Sequence, residues 1–541
     1  MGKRKVMQFL AIAIGAGMVL GSCGLSSSAK DAMSDTETVA EYSSASNSTT
    51  ESECFTAQDS VTAGGTPYKF DTKEIEFNTE EYNAVTENGF LSVKTNPLST
   101  FAADVDTASY ANLRRMILAG QTVDTGAVRV EEMLNYFHYD YPEPKEGEPF
   151  SVTTEVTDCP WNENSQLLLV GLQAAKMDPD EIPPSNLVFL IDTSGSMSSA
   201  DKLPLVQQAF RLLCESLGED DRISIVTYAS TDEIVLQGAS GDETRRIMEA
   251  VEELEAGGAT AGAAGIQTAY EIAERNFIEG GNNRVILATD GDLNVGISSE
   301  SQLAELIKAK AKSGVDLSVM GFGTGNLKDN KMEALADKGN GNYSYIDSVA
   351  EARKVLFEEM DATLFTVARD VKFQVEFNPA IVSEYRLIGY ENRKMADRDF
   401  ADDTKDGGEI GAGHRVTVLY EIVKTGSGDG KNETDLKYQE AKNIESDEWL
   451  TVNVRYKESA GSESRLLSYP VGQEMCTDKI SDNLKFAACV AETGMLLRDS
   501  EYVGSSSYRN VLEQLNEVED LNQDDYKDEF HYLVKKLAKN N

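Results

Sequence analysis

From Ser185 onward the chain alternates short apolar runs with helical patterns, and few folds accept that order. Asn186–Ile191 is a short, continuous apolar run, as expected of a strand covered on both faces. Leu203, Val206, Phe210, Leu213 and Leu217 then recur at helical spacing. Strand-like runs follow at 222–228, 233–236, 284–288, 316–322 and 342–346. Helical patterns at 243–254, 263–275 and 301–312 separate most of them. This alternation predicts a doubly wound α/β domain with a mainly parallel sheet, spanning 183–361.

On either side of that unit the period changes. Phe150–Val156 and Gln166–Leu172 read as strands before it. After it, Val371–Phe377, Arg415–Ile422 and Trp449–Tyr456 alternate apolar with polar residues, the pattern of an antiparallel sheet. Domain termini commonly lie close together, so the α/β domain is expected to be inserted into one β-sandwich built by both flanks. Helical patterns also occur at 108–118 and 129–137, and Asp106 or Thr107 is expected to cap the first of them. From Asp482 to the end the chain reads as helical, with Phe486, Cys489, Val490, Met495 and Leu497 as its inward stripe. The flanks thus divide into an N-terminal α+β region over 68–182, a β-rich domain over 362–475 and a helical region over 476–541.

The first residues bear on location. Lys3, Arg4 and Lys5 precede an apolar run from Phe9 to Leu20 that is too short to span a bilayer, so 1–22 reads as a signal peptide. Leu20-Gly-Ser-Cys23 resembles the bacterial lipobox. That resemblance implies diacylglycerol on Cys23 and an exported chain anchored on the extracytoplasmic side of a membrane, which two acyl chains hold stably. Residues 23–67 carry too few large apolar side chains to fold and read as a disordered tether. None of the other cysteines has C-x-x-C spacing, so zinc-ribbon and thioredoxin-like motifs are absent. Cys214 and Cys489 sit in apolar patterns and read as buried thiols, while pairing among Cys54, Cys159 and Cys476 stays open. With 92 acidic against 50 basic residues, the net charge of −42 repels a phosphate backbone and excludes nucleic acid as a partner.

Three short motifs carry the chemistry. Asp192-Thr-Ser194-Gly-Ser196 follows the first apolar strand, Gly257-Gly-Ala-Thr260 lies before a helix, and Ala288-Thr-Asp290-Gly-Asp292 follows another apolar strand. Open α/β sheets bind ligands outside the carboxyl ends of their strands, where strand order reverses, so these motifs are expected to share one crevice. Hydroxyls from Ser194, Ser196 and Thr260, with carboxylates from Asp192 and Asp290, suit a hard cation: Mg²⁺, or Mn²⁺ or Ca²⁺. In this order and on these elements the motifs resemble the metal-ion-dependent adhesion site of von Willebrand factor type A (VWA) domains, with all five positions matched. The resemblance implies a Rossmann-like, six-stranded sheet wrapped by helices. It also implies a metal ion with a coordination position open to a Glu or Asp of a protein partner. Asn96–Thr107, Gly323–Leu327, Val371–Arg393 and Leu484–Arg498 further resemble bacterial YfbK-like VWA lipoproteins, and the likeness runs from Leu91 to the C-terminus.

Enzymatic readings lack their parts. Aspartic proteases use paired Asp-Thr-Gly or Asp-Ser-Gly motifs, whereas here a residue intervenes and no second motif occurs. His138, His414 and His531 are not in H-E-x-x-H spacing, which leaves zinc hydrolysis without ligands. The expectation is therefore a non-enzymatic, metal-dependent binding protein of the cell envelope. The alternative is a structural envelope component whose VWA domain packs on its own flanks.

Overall fold

The computed structural model describes residues 78–178, 181–259, 262–291, 300–426, 446–459, 461–477, 479–519 and 521–540. The signal segment, Cys23, the tether, Cys54, Thr260 and Asp292 lie outside the described residues, as does the Gly-rich stretch 427–431.

The strand Ser185–Asp192 is buried along its whole length and pairs in parallel with Arg222–Tyr228 on one side and Asn282–Thr289 on the other. Its continuous apolar character follows from the pleat, which sends successive side chains to opposite faces. Leu187, Phe189 and Ile191 pack with Val206, Phe210 and Leu213, whereas Val188 and Leu190 pack with Ile266, Tyr270 and Ala273. Each such side chain contributes roughly 1.5–3 kcal/mol on burial. Asp316–Phe322 and Tyr343–Ile346 extend the sheet in parallel beyond Asn282–Thr289, and Asp232–Ser240 closes the opposite edge antiparallel to Arg222–Tyr228. The unit is thus a mainly parallel six-stranded sheet with helices on both faces, as expected. Strand order reverses between Ser185–Asp192 and Asn282–Thr289.

The flanks build one β-sandwich from both sides of the insertion. One sheet runs in the order Leu91–Ser92, Val382–Ile388, Arg415–Lys424, Gln166–Ala174, Phe150–Asp158. Its central pairing joins strands from before and after the α/β domain, with Val418 opposite Val170. The second sheet runs Gly408–Gly411, Thr366–Phe377, Glu448–Lys457, Arg465–Gly472, and Leu98–Ala102 also pairs with Thr366–Phe377. There Phe101 lies opposite Phe373, with ring centroids 5.2 Å apart. Leu168, Val170 and Leu172 join the core between the sheets, while Leu167 and Leu169 face a layer of helices on the outside. That double coverage explains the uninterrupted apolar run in this antiparallel strand.

The outer helical layer departs from the sequence expectation. Asp482–Arg498 is buried on nearly every face, from Leu484 through Met495, and Leu497 is only partly buried. It is a central helix, enclosed by Val130–Asn135, Tyr508–Leu515, Asp525–Asn540 and the sandwich. Ser481 caps it by accepting from the Leu484 N–H at 3.1 Å. Cys159, Cys214 and Cys489 are buried thiols.

The capping expectation at Ala108 is corrected. Thr107 stands at the N-cap with no side-chain cap hydrogen bond. Asp106 instead accepts from the Tyr343 backbone N–H at 2.8 Å and pairs with Arg393 at 3.0 Å. A buried carboxylate needs strong partners, and those available here come from elsewhere in the chain rather than from the adjacent helix.

Candidate metal centre

Asp192 ends its strand and Asp290 follows the neighbouring one, so the two carboxylates stand at the carboxyl end of the sheet, where strand order reverses. The Ser194 N–H donates to Asp192 Oδ1 at 2.8 Å, which tightens the turn after the strand. The Ser194 and Ser196 hydroxyls are then 3.0 Å apart. Thr289 links the two strand ends: its hydroxyl lies 3.3 Å from Asp192 Oδ2 and accepts from the Gly291 N–H at 3.1 Å. Gly291 has φ +94°, and a Cβ there would fall 2.5 Å from the Lys328 nitrogen, so the turn after Asp290 requires glycine.

The third motif docks by its backbone. The Gly195 N–H donates to the Gly258 carbonyl at 3.1 Å, and the Gly257 N–H donates to the Thr193 carbonyl at 2.8 Å. Thr260 itself lies outside the described residues. Asp192, Ser194 and Asp290 are buried, whereas Ser196, Gly257 and Gly258 are exposed, so the cluster opens to solvent on that side. Burial pushes the Asp192 carboxyl up to about 6, with the charge of Asp290 adding to the effect against hydrogen bonds from Ser194. Burial acts on Asp290 too, but hydrogen bonds from Asn326 and Ser196 and the Lys202 ammonium outweigh it and hold this carboxyl below its ordinary value.

Two neighbouring residues are not among the site residues expected from the sequence. Lys202 Nζ lies 3.0 Å from Asp290 Oδ2 and 2.8 Å from Asn326 Oδ1. Asn326 belongs to the loop after Asp316–Phe322, and the N-terminal stretch from Asn78 runs along that loop. There Glu80 accepts from the Gly325 N–H at 2.9 Å. Hydroxyls beside partly neutralised carboxylates form the oxygen set that a hard divalent ion prefers. An ammonium already standing on Asp290 marks the cluster as one that holds positive charge. Asp192, Ser194, Ser196 and Asp290 could hold such an ion.

Residues 186–359 match the family model for the von Willebrand factor type A domain, 76–169 one described as von Willebrand factor, and 362–539 that of the C-terminal part of the uncharacterized protein YfbK. Fold and motifs together define a VWA-domain protein, a class that commonly binds a divalent metal at this site. The uncharacterized protein YfbK of Escherichia coli (strain K12) is 42% identical over 469 residues, 84% of this chain and 80% of its own. The chain belongs to the YfbK family. Inter-alpha-trypsin inhibitor heavy chain H3 of Homo sapiens is 30% identical over 203 residues, which span 35% of this chain but only 22% of the human one. A solved von Willebrand factor type A structure from Catenulispora acidiphila aligns with 72% of this chain and 90% of its own, at 16% identity and a TM-score of 0.41.

Proposed function

We propose that this protein is a non-enzymatic binding protein of the cell envelope. Its VWA domain takes a divalent cation on Asp192, Ser194, Ser196, Thr260 and Asp290, and the ion recruits a Glu or Asp carboxylate of a protein partner. The observation that carries this reading is the convergence of two strand-end aspartates and a 3.0 Å serine hydroxyl pair at the sheet's switch point. A bound divalent ion is often the largest local charge in its site. It attracts a carboxylate at contact even though the chain's charge of −42 repels acidic partners at a distance, because exposed charges are screened beyond about 8 Å. Export and lipid anchoring at Cys23 place that binding on the extracytoplasmic side of the membrane. No helix among the described residues is long and apolar enough to cross a membrane.

Calorimetric titration of the full chain with Mg²⁺ and Mn²⁺ tests the metal centre. The wild type is expected to take up one ion. Asp192→Ala and Asp290→Ala are each expected to lose it while keeping their circular dichroism, and Ser194→Ala is expected to weaken uptake less. A wild type that takes up neither ion at millimolar concentration would leave the structural reading in its place. Membrane fractionation of Cys23→Ser tests the anchor: release of the variant from membranes is expected, and a variant still processed as lipoprotein refutes it.

A further inference from the structure

Lys202 is placed at the candidate centre by a prepared slot. It is 6% exposed, and Asp290, which it contacts, is fully buried. Its ammonium bridges Asp290 Oδ2 at 3.0 Å and Asn326 Oδ1 at 2.8 Å. Its aliphatic stem passes over Gly323, where a Cβ would fall 2.2 Å from Lys202 Cγ and 2.3 Å from Cε. The Gly323 carbonyl is in turn fixed by the Tyr345 hydroxyl at 2.7 Å. A lysine so threaded cannot swing freely into solvent.

We propose that Lys202 is a built-in counter-cation of the metal centre, which weakens the hold on a divalent ion but leaves that ion with the positive charge that recruits an anionic ligand. This rests on the metal-binding reading above. Asp192 and Asp290 supply two negative charges and the hydroxyls none, so without the lysine a divalent ion would be neutralised. With Lys202 paired to Asp290, these three side chains together supply one net negative charge, which leaves a bound divalent ion with one net positive charge among them. The lysine therefore acts with opposite sign on the two binding steps: it repels the metal and favours the carboxylate.

The test uses the full chain with Mn²⁺ as the metal probe and acetate as the carboxylate probe. Free Mn²⁺ is followed by electron paramagnetic resonance, and acetate occupancy by loss of water-proton relaxation from the bound ion. Lys202→Met is expected to bind Mn²⁺ roughly tenfold tighter or more, because a nearby like charge is removed from a poorly solvated site. Acetate should bind the loaded variant more weakly than the loaded wild type. Lys202→Gln, which can still hydrogen-bond Asp290, gives the same readout should the Met variant fail to fold without metal. If the wild type takes up Mn²⁺ and both variants bind it no more tightly, the counter-cation role falls while the metal centre stands. If neither wild type nor variants take up Mn²⁺, both readings fall. Uptake by the variants alone would overturn both readings, because Lys202 would then exclude the ion from the native chain rather than balance its charge.

Discussion

Glu409 has its carboxylate in a group with those of Asp370 and Asp406, all within 4.8 Å of one another. Burial, then repulsion from Asp406, Asp316 and Asp370, pushes its carboxyl up to about 8 despite the opposing charge of Arg369. The folded chain therefore keeps a proton on Glu409 that the unfolded chain gives up near the ordinary value of 4.5. Between those two values folding binds a proton, so this group makes stability fall as pH rises. Glu409→Gln removes the penalty. The variant is expected to match the wild type near pH 4 in denaturant melts and to exceed it by about 1–3 kcal/mol near pH 8, discounted from the full shift because the side chain is only partly enclosed. Equal stabilities near pH 8 would refute this. Asp192, Ser194, Ser196 and Asp290 were legible in the sequence because each stands in a short motif just past an apolar run that marks a strand. Lys202 was not, since next to Leu203 it reads as an exposed residue in the first turn of a helix. Its placement depends on Gly323 and Asn326, the latter 124 residues away. Asp106 was misread for the same reason: local spacing offered a cap, and the fold supplied Tyr343 and Arg393 instead.

At the scale of elements, strands were the easier reading. In the α/β domain a run of apolar residues means coverage on both faces, and in the sandwich the alternation of Val371–Phe377 marks one buried face. The helix Asp482–Arg498 shows where periodicity stops being informative. Its Ala487, Ala488, Ala491 and Gly494 are small, and in sequence small residues read as a weak outer face. In the fold they are the surfaces on which neighbours approach closely. A Cβ on Gly494 would lie 3.0 Å from Val130 Cγ2 and 3.1 Å from Met133 Sδ, so the helix Val130–Asn135 rests against it. Gly494→Val is accordingly expected to destabilise by about 1–3 kcal/mol through overpacking, although valine is more apolar than glycine. Thermal melts of the full chain check this, and a variant as stable as the wild type would show that the two helices can separate without loss.

For the whole molecule the question is how a domain inserted in a sandwich is held in one orientation. Apolar contact supplies part of the answer, since Ala108 and Ala111 of the N-terminal region pack into the α/β core beside Val319 and Tyr343. Arginines that are buried or largely covered supply the rest. Arg129 pairs with Glu132 beside it and with Asp329 of the inserted domain. Arg393 joins Asp104 and Asp106 of the N-terminal region to Asp337 of the inserted domain. Arg114 contacts Glu351 of the insertion at 2.8 Å and Glu529 of the C-terminal helix at 3.1 Å. In a chain with 50 basic residues against 92 acidic ones, these cations lie inside, each joining segments far apart in sequence. A pair of this kind adds little net stability against an apolar replacement of both partners, but losing one partner strands the other charge in the interior. Arg129→Met would leave Glu132 and Asp329 buried without their guanidinium, at a cost of about 3–5 kcal/mol. Because the pairing crosses from flank to insertion, the loss should fall on the coupling between them. Scanning calorimetry is expected to give one cooperative transition for the wild type and two for Arg129→Met. A variant that keeps a single transition and loses less than about 1 kcal/mol would mean that apolar packing alone orients the domain.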